Sequence, residues 1–446
     1  MANLVTLKSL CTRITDGSHY SPIGIKEGYP MLSVKDMTDF GFSYNDCKYI
    51  SKEDYDKLVL ADCKPKLNDL LIAKDGSYLK HVFVIKQEIE QVILSSIGIL
   101  RPNLKKIYPN YLKYYLQTKS VKETVAKKYV SGSALPRIIL KGFEQIEVIY
   151  KDLHTQKSIA KVLSDIDTKI ELNNRINREL EAMAKTLYDY WFVQFDFPNV
   201  QGKPYKSSGG KMVYNAELKR EIPEGWEVGN IGNYCPSSGG FAFKSSWWTN
   251  EGVSVVKIKD IQEDYTIDIS NLAKVDLTDK KIDNKFKAKP GDILIAMTGA
   301  TVGKYGIVPI TDYPIYVNQR VGYFNLGNEP TEKLPYLINS LNQPYFREMI
   351  FSLASGAAQP NISNEQINRI SLIIPDRTIV NKYNLKFAPF YKTILNNQRQ
   401  NQQLSELRDW LLPMLMNGQV TIRQAHGTAE AEEMPGMVAE RKEEKN

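Results

Sequence analysis

The chain is poor in residues that bind metals or staple small folds. Its four cysteines, Cys11, Cys47, Cys63 and Cys235, are scattered, and no two form a Cys-x-x-Cys pair. Only four histidines occur in 446 residues. A zinc site of ordinary spacing is excluded, and a disulfide framework is not expected. No run of about 18 apolar residues is present, so no membrane-spanning helix is expected. The N-terminus lacks an apolar targeting core, which points to a cytoplasmic, reducing compartment.

Catalytic constellations are missing too. His19, His81, His154 and His426 have no carboxylate or nucleophile at a useful spacing. Gly299-Ala300-Thr301-Val302-Gly303-Lys304-Tyr305 looks like a phosphate loop, but only three residues separate its glycines. Tyr305 also stands where Ser or Thr would hold magnesium. Asn342-Gln343-Pro344-Tyr345 is similar to the Asn-Pro-Pro-Tyr loop of adenine methyltransferases, yet no Gly-rich cofactor loop follows a strand, so a helix turn is the better reading. Asp69 and Asp292 open hydrophobic strands as nuclease aspartates do. Neither is followed by a clear acid-x-Lys element on a neighbouring strand, which leaves a turn or capping role.

What is present is a repetition. Val34-Lys35-Asp36 returns as Ile258-Lys259-Asp260, and Asp69-Leu70-Leu71-Ile72-Ala73 as Asp292-Ile293-Leu294-Ile295-Ala296. Ile97-Gly98 returns as Val321-Gly322, and Ser131-Gly132-Ser133-Ala134 with Pro136 as Ser355-Gly356-Ala357-Ala358 with Pro360. Leu172-Asn173-Asn174 returns as Leu395-Asn396-Asn397. The offsets are 223 or 224, half the length of the chain. The chain is a tandem duplication, and each half is expected to hold one unit of fold and one of function.

Each half opens with a mixed α/β segment (1–150, then 213–375) and continues into a polar helical segment (151–197, then 376–420). Residues 198–212, rich in Pro, Gly and Ser, read as an exposed, flexible linker, and 421–446 as a disordered tail. Strands are expected at Leu70–Ala73, His81–Ile85, Ile293–Met297 and Tyr305–Pro309, each pair bracketing a hairpin tip. A helix should follow at Tyr111–Lys127 and Leu334–Phe351. The chain carries +7 and the tail from Ala425 carries −3, so residues 1–424 carry +10. That excess favours a polyanionic partner.

The long helices, about 152–195 and 377–417, carry a seam with alternating four- and three-residue steps. It runs Ile159, Leu163, Ile166, Ile170, Asn173, Asn177, Leu180, Ala184, Leu187, Trp191. One repeat further on it reads Tyr383, Phe387, Phe390, Ile394, Asn397, Asn401, Leu404, Arg408, Leu411, Leu415. Such spacing marks a coiled coil. Asn173, Asn177, Asn397 and Asn401 should fix its register, because a buried amide needs a polar partner. An antiparallel pairing would make the chain nearly two-fold symmetric, with a rod about 48 Å long at roughly 1.5 Å per residue. Two amphipathic helices packing each on its own domain is the plainer alternative.

These segments resemble the specificity subunit of a type I restriction-modification system. The resemblance rests on Val130-Ser131-Gly132-Ser133-Ala134-Leu135-Pro136 leading to Ile146-Glu147-Val148-Ile149, then Gln156-Lys157-Ser158-Ile159-Ala160-Lys161-Val162-Leu163-Ser164-Asp165-Ile166-Asp167. The second copy runs from Ser355-Gly356-Ala357-Ala358-Gln359-Pro360-Asn361-Ile362 to Ile370-Ser371-Leu372-Ile373-Ile374-Pro375, and Pro223-Glu224-Gly225-Trp226-Glu227 opens that half in the family's manner. The resemblance covers residues 1 to about 420. It implies an α+β fold with pseudo-two-fold symmetry: two globular α/β target recognition domains joined by two long helices forming an antiparallel coiled coil. It also implies a bipartite target on double-stranded DNA, docking of two methyltransferase subunits, and restriction subunits that add ATP-driven cleavage. No cofactor would bind this chain. S-adenosylmethionine would sit on the methyltransferase subunits, and ATP and magnesium on the restriction subunits. Asp152-Leu153-His154 departs from the family's proline-rich helix entry, and Arg408, opposite a small residue such as Ala184, would be tolerated or mark a subunit contact.

Strand residues recur between halves, whereas the tips differ: Ser77-Tyr78-Leu79-Lys80 against Ala300-Thr301-Val302-Gly303. If tips touch bases, the half-sites differ. The expected DNA-binding residues are Lys35, Lys74, Ser77, Tyr78, Lys80 and Arg137 in the first half. In the second they are Lys257, Lys259, Thr298, Thr301, Lys304, Arg320 and Gln359. Two other readings stay open: a self-contained methyltransferase or nuclease with a fused recognition domain, and a duplicated protein-binding scaffold.

Overall fold

The computed structural model describes residues 3–76, 79–131, 137–354 and 360–420. The expected tail at 421–446 lies outside them. The chain forms two compact units, one of Met1–Ser164 with Asp409–Asn446, the other of Asp165–Arg408. Both boundaries fall inside the long helices rather than at their ends.

In the first unit, Leu70–Ala73 is a strand in a four-stranded antiparallel sheet, flanked by Val82–Val84 and Ile97–Pro102. All four of its residues are buried. Alternation sends Leu70 and Ile72 into one core with Tyr111 and Leu112, and Leu71 and Ala73 into another with Phe83 and Ile99. A second sheet pairs Tyr29–Leu32 in parallel with Val92–Ile93. Leu4–Thr6 pairs with Glu147–Ile149 and ties the unit's first strand to the strand preceding the long helix.

The second unit repeats these registers. Ile72 opposite Gly98 becomes Ile295 opposite Gly322, Leu71 opposite Phe83 becomes Leu294 opposite Gly306, and Leu32 opposite Ile93 becomes Val256 opposite Val317. Leu4 opposite Ile149 becomes Val228 opposite Ile373. The duplication therefore reaches individual hydrogen-bonded pairs. Ile293 and Ile295 enter one core, Leu294 and Ala296 the other.

The helix expected at Tyr111–Lys127 is two helices, Pro109–Gln117 and Lys119–Lys128. Thr118 adopts extended backbone between them and caps the second, its hydroxyl accepting from Val121 N–H. Leu334–Phe351 likewise splits into Leu334–Leu341 and Pro344–Ala354. Pro344 has no N–H to continue the first helix and opens the next. Asn342-Gln343-Pro344-Tyr345 is thus a helix junction.

The linker at 198–212 is not an open tether. Ser207 donates from both N–H and hydroxyl to Asp196, at 2.7 and 2.6 Å, and Asn199 Oδ1 accepts from the N–H groups of Gln201 and Lys203. Phe197 stacks on Tyr205 and on the buried Trp226. Its Pro, Gly and Ser residues shape turns that these side chains pin down.

The long helices are Leu153–Tyr188, continued by a π-helical turn at Asp189–Val193, and Arg377–Asn417. Asp152 and Asp376, at equivalent positions, accept the Thr155 and Thr378 N–H groups at their entries. Within the second unit, Asn173 Nδ2 donates to Gln400 Oε1 and Asn401 Oδ1, both at 2.8 Å. Asn397 Nδ2 donates to Asn177 Oδ1 at 2.8 Å, and Asn401 Nδ2 to Asn174 Oδ1 at 2.7 Å. Numbers rise on one helix as they fall on the other, so the pair is antiparallel. That direction overturns the placing of Arg408 opposite Ala184: Arg408 meets Asp167 at 3.0 Å, while Ala184 carbonyl accepts from Tyr383 hydroxyl.

Candidate nucleic-acid interface

In the first unit three segments are laced together. The turn at Val34–Asp36 is held by Asp36, which is buried and accepts from Ser33 N–H at 2.8 Å and Ser33 hydroxyl at 2.9 Å. That cap turns Lys35 outward into solvent. Ser96 bridges two segments, its hydroxyl accepting from Val34 N–H and its carbonyl from Lys74 N–H. Lys74 carbonyl accepts from Ile138 N–H, and the backbones of Asp75 and Arg137 form an antiparallel bridge. His81 Nδ1 lies 2.8 Å from Asp39 Oδ1, tying the hairpin to the loop after Lys35. Lys35, Lys80 and Arg137 are all exposed on this framework.

The second unit keeps the lacing. Asp260 is buried and accepts from Lys257 N–H at 2.8 Å, and Lys259 projects outward with its side chain 64% exposed. Burial raises the pKa of the Asp260 carboxyl. Met297 N–H donates to Arg320 carbonyl, Ile362 N–H to Met297 carbonyl, and Thr298 bridges Asn361. Lys304 pairs with Glu263 as His81 pairs with Asp39, at the same repeat offsets. Gly303 in the tip takes φ +82°, and a Cβ there would stand 2.5 Å from Ile350 Cγ2, so the close approach requires glycine. Two open clefts flank the loops. One of about 670 Å³ has Lys259, Asn250, Ser254, Asn271 and Lys274 among its walls. The other, about 230 Å³, includes Thr301, Lys304, Tyr265 and Arg347.

Three of the expected contacts are otherwise engaged. Lys74 is buried against the equally buried Asp16 and does not face solvent, because a charge inside the unit is tolerated only with its counter-charge. Lys304 is 19% exposed and held by Glu263. The Lys257 ammonium lies 3.5 Å from the centre of the Trp248 ring, and burial lowers its pKa. Lys35, Lys80, Arg137, Lys259 and Arg320 stay at the surface. Ser77, Tyr78 and Gln359 lie outside the described residues.

The two ties, His81 to Asp39 and Lys304 to Glu263, escaped the sequence reading because histidine and lysine do not align by identity. An acid and a base recurring at offsets of 224 and 223 are the signal that finds them. Asp75 was also missed. Its Oδ1 and the Thr298 Oγ1 are buried and meet no hydrogen-bond partner.

Asp69 and Asp292 cap the turns before their strands, accepting from Lys66 and Lys289 N–H groups at 2.8 and 2.7 Å. Asp69 also meets Arg101 through two bonds of 2.9 Å. Among the described residues, no three His, Cys, Asp or Glu side chains converge on a metal position, and no helix is long and apolar enough to cross a membrane.

The sequence pattern of the type I restriction modification DNA specificity domain matches residues 23–182 and again 223–406. The type I restriction enzyme MjaVIII specificity subunit of Methanocaldococcus jannaschii is 27% identical over 404 residues, covering 89% of this chain and 87% of that one. The MjaIX specificity subunit of the same organism is 27% identical over 324 residues, 71% of this chain and 70% of that protein. The HindI specificity subunit of Haemophilus influenzae is 24% identical over 413 residues, 80% and 87% of the two chains. Among solved structures, the type I restriction-modification S subunit from M. genitalium has the same fold, with a TM-score of 0.50, 17% identity, and 93% and 96% of the chains covered. The chain belongs to the type I restriction-modification DNA specificity family and is a specificity subunit, the non-catalytic DNA-recognising component, with two target recognition domains.

Proposed function

We propose that the two recognition domains read the two halves of a split double-stranded DNA target through the loops described above. Lys35, Lys80 and Arg137 meet phosphates or base edges in one half-site, and Lys259 and Arg320 in the other. Ser77, Tyr78, Thr298, Thr301 and Gln359 supply side-chain donors and acceptors for bases. The observation that carries this reading is a shared frame with unlike occupants. Backbone pairs recur at the repeat offset, while Ser96 gives way to Arg320, Lys80 to Gly303 and Arg137 to Asn361.

In this reading the long helices dock two methyltransferase subunits, and restriction subunits join them in the cytoplasm. S-adenosylmethionine, ATP and magnesium belong to those partners, and this chain holds none of them. The test is DNA affinity against salt for the methyltransferase complex carrying Lys259→Ala with Arg320→Ala. We expect the salt slope to drop by about one per phosphate contact removed, and affinity to fall across all sequences. Equal affinity and slope for variant and parent at low salt would remove both residues from the interface. Turnover of DNA by the chain alone, with magnesium or S-adenosylmethionine, would instead revive a self-contained enzyme.

A further inference from the structure

Asp75 and Thr298 occupy one and the same position of the repeat. Each forms a single antiparallel bridge, Asp75 with Arg137 and Thr298 with Asn361, and the bridging partners are equivalent as well. Each stands two residues past a fully buried strand, where the chain turns into the hairpin tip. In each, one side-chain oxygen is shut from solvent with no hydrogen-bond partner. Among the described residues one other side-chain atom shares that state, Asn173 Oδ1. Two of the three therefore fall on the same position of the repeat, one in each compact unit.

A buried polar oxygen without a partner is a standing cost to the fold. Here the cost recurs although the chemistry changed, from a carboxylate to a hydroxyl. A packing accident tied to one side chain would not survive that change. The position, not the residue, is what the two units share. Arg137 lies across the backbone bridge from Asp75, and the Arg320 carbonyl accepts from the N–H of Met297, the neighbour of Thr298; both bases are exposed. A carboxylate among bases that face a polyanion is repelled by phosphates. It gains only by meeting an amino group on a base edge.

Building on the DNA-binding reading, we propose that this position reads one base pair in each half-site. Asp75 accepts from the N4 amino group of a cytosine in the major groove, the pairing that an acceptor-only side chain favours. Thr298 meets its base through a hydroxyl that can donate or accept, so the two half-sites differ at this pair. Both oxygens are covered in the free protein, so contact with the base requires that binding uncover them, and the base then supplies the missing partner.

The test is single-molecule methylation mapping of a host whose complex carries Asp75→Asn, Asp75→Ala or Thr298→Val, with target affinity measured on purified complexes. Asparagine keeps the shape of Asp75 but adds a donor, and valine keeps the shape of Thr298 without its hydroxyl. Asp75→Asn should change or relax one base pair of the first half-site, with about a tenfold loss of discrimination there, and leave the second half-site unchanged. Thr298→Val should do the same in the second half-site only. If Asp75→Ala abolishes methylation through misfolding, Asp75→Asn alone decides. A motif unaltered at every pair by both near-isosteric variants overturns the assignment and leaves the DNA-binding reading standing. Failure of that wider reading looks different: deleting the gene would remove no split methylated motif.

Discussion

Asp69 and Asp292 sit at one repeat position and make one backbone contact, yet their surroundings differ. Arg101 grips Asp69, whereas Asn325 stands at the arginine's equivalent and brings no charge. Burial without that counter-charge raises the Asp292 pKa to about 6, against the Lys289 N–H and the lysine's charge, which pull it down. The folded-state pKa exceeds the unfolded one, so the group favours folding below about pH 4. That contribution is lost as pH rises through about 6. Asp292→Asn should therefore stabilise the second unit at pH 8 by roughly 1–3 kcal/mol, with the gain fading below about pH 4. Thermal unfolding at pH 4, 6 and 8 checks this, and a gain constant across pH would contradict it. Neither the duplication nor the residue type distinguishes these aspartates. The residue that does, Arg101 or Asn325, is distant along the chain.

The paired helices carry amides where hydrophobic side chains would pack better. All the seam positions are buried or partly buried, so the alternation of four and three read from the sequence is the buried face. The seam residues Asn173, Asn177, Asn397 and Asn401, with Asn174 and the exposed Gln400 beside them, bond across the pair. Sliding the helices by a turn would strand these amides in an apolar layer, which gives the contact one register. Asn173→Ala removes the donor for both Gln400 and Asn401, and should lower the stability of the second unit by roughly 1–3 kcal/mol. Urea unfolding measures it. Replacing Asn173 and Asn401 together by leucine should instead raise stability while loosening the register, visible as a broadened distribution of spin-label distances between the helices. Helix ends were less legible than the seam. Thr118 and Pro344 split two helices whose apolar spacing runs straight through the break, because capping and a missing N–H act locally whatever the periodicity.

At the scale of the whole chain, the repetition is a statement about the target. Strand registers match pair by pair between the two halves, so either half offers an equivalent scaffold for the other's loops. A chain in which 227–374 is replaced by a second copy of 3–150 should direct methylation to a target with two matching halves. Methylation mapping would read this directly, and retention of two unlike halves would refute the assignment of one half-site per domain.

Recurrence at 223 or 224 residues determined the duplication, and side-chain periods of 2 or about 3.6 residues written along the chain determined the central strands, the seam and the two long helices. Which basic residues remain available to DNA was decided only by the tertiary structure. Lys74 is far along the chain from the Asp16 that neutralises it, as Lys304 is from Glu263, whereas Lys35 and Lys259 are turned outward by the aspartate next in sequence. Coulomb attraction and desolvation act through space, so a lysine's freedom depends on what folding brings beside it.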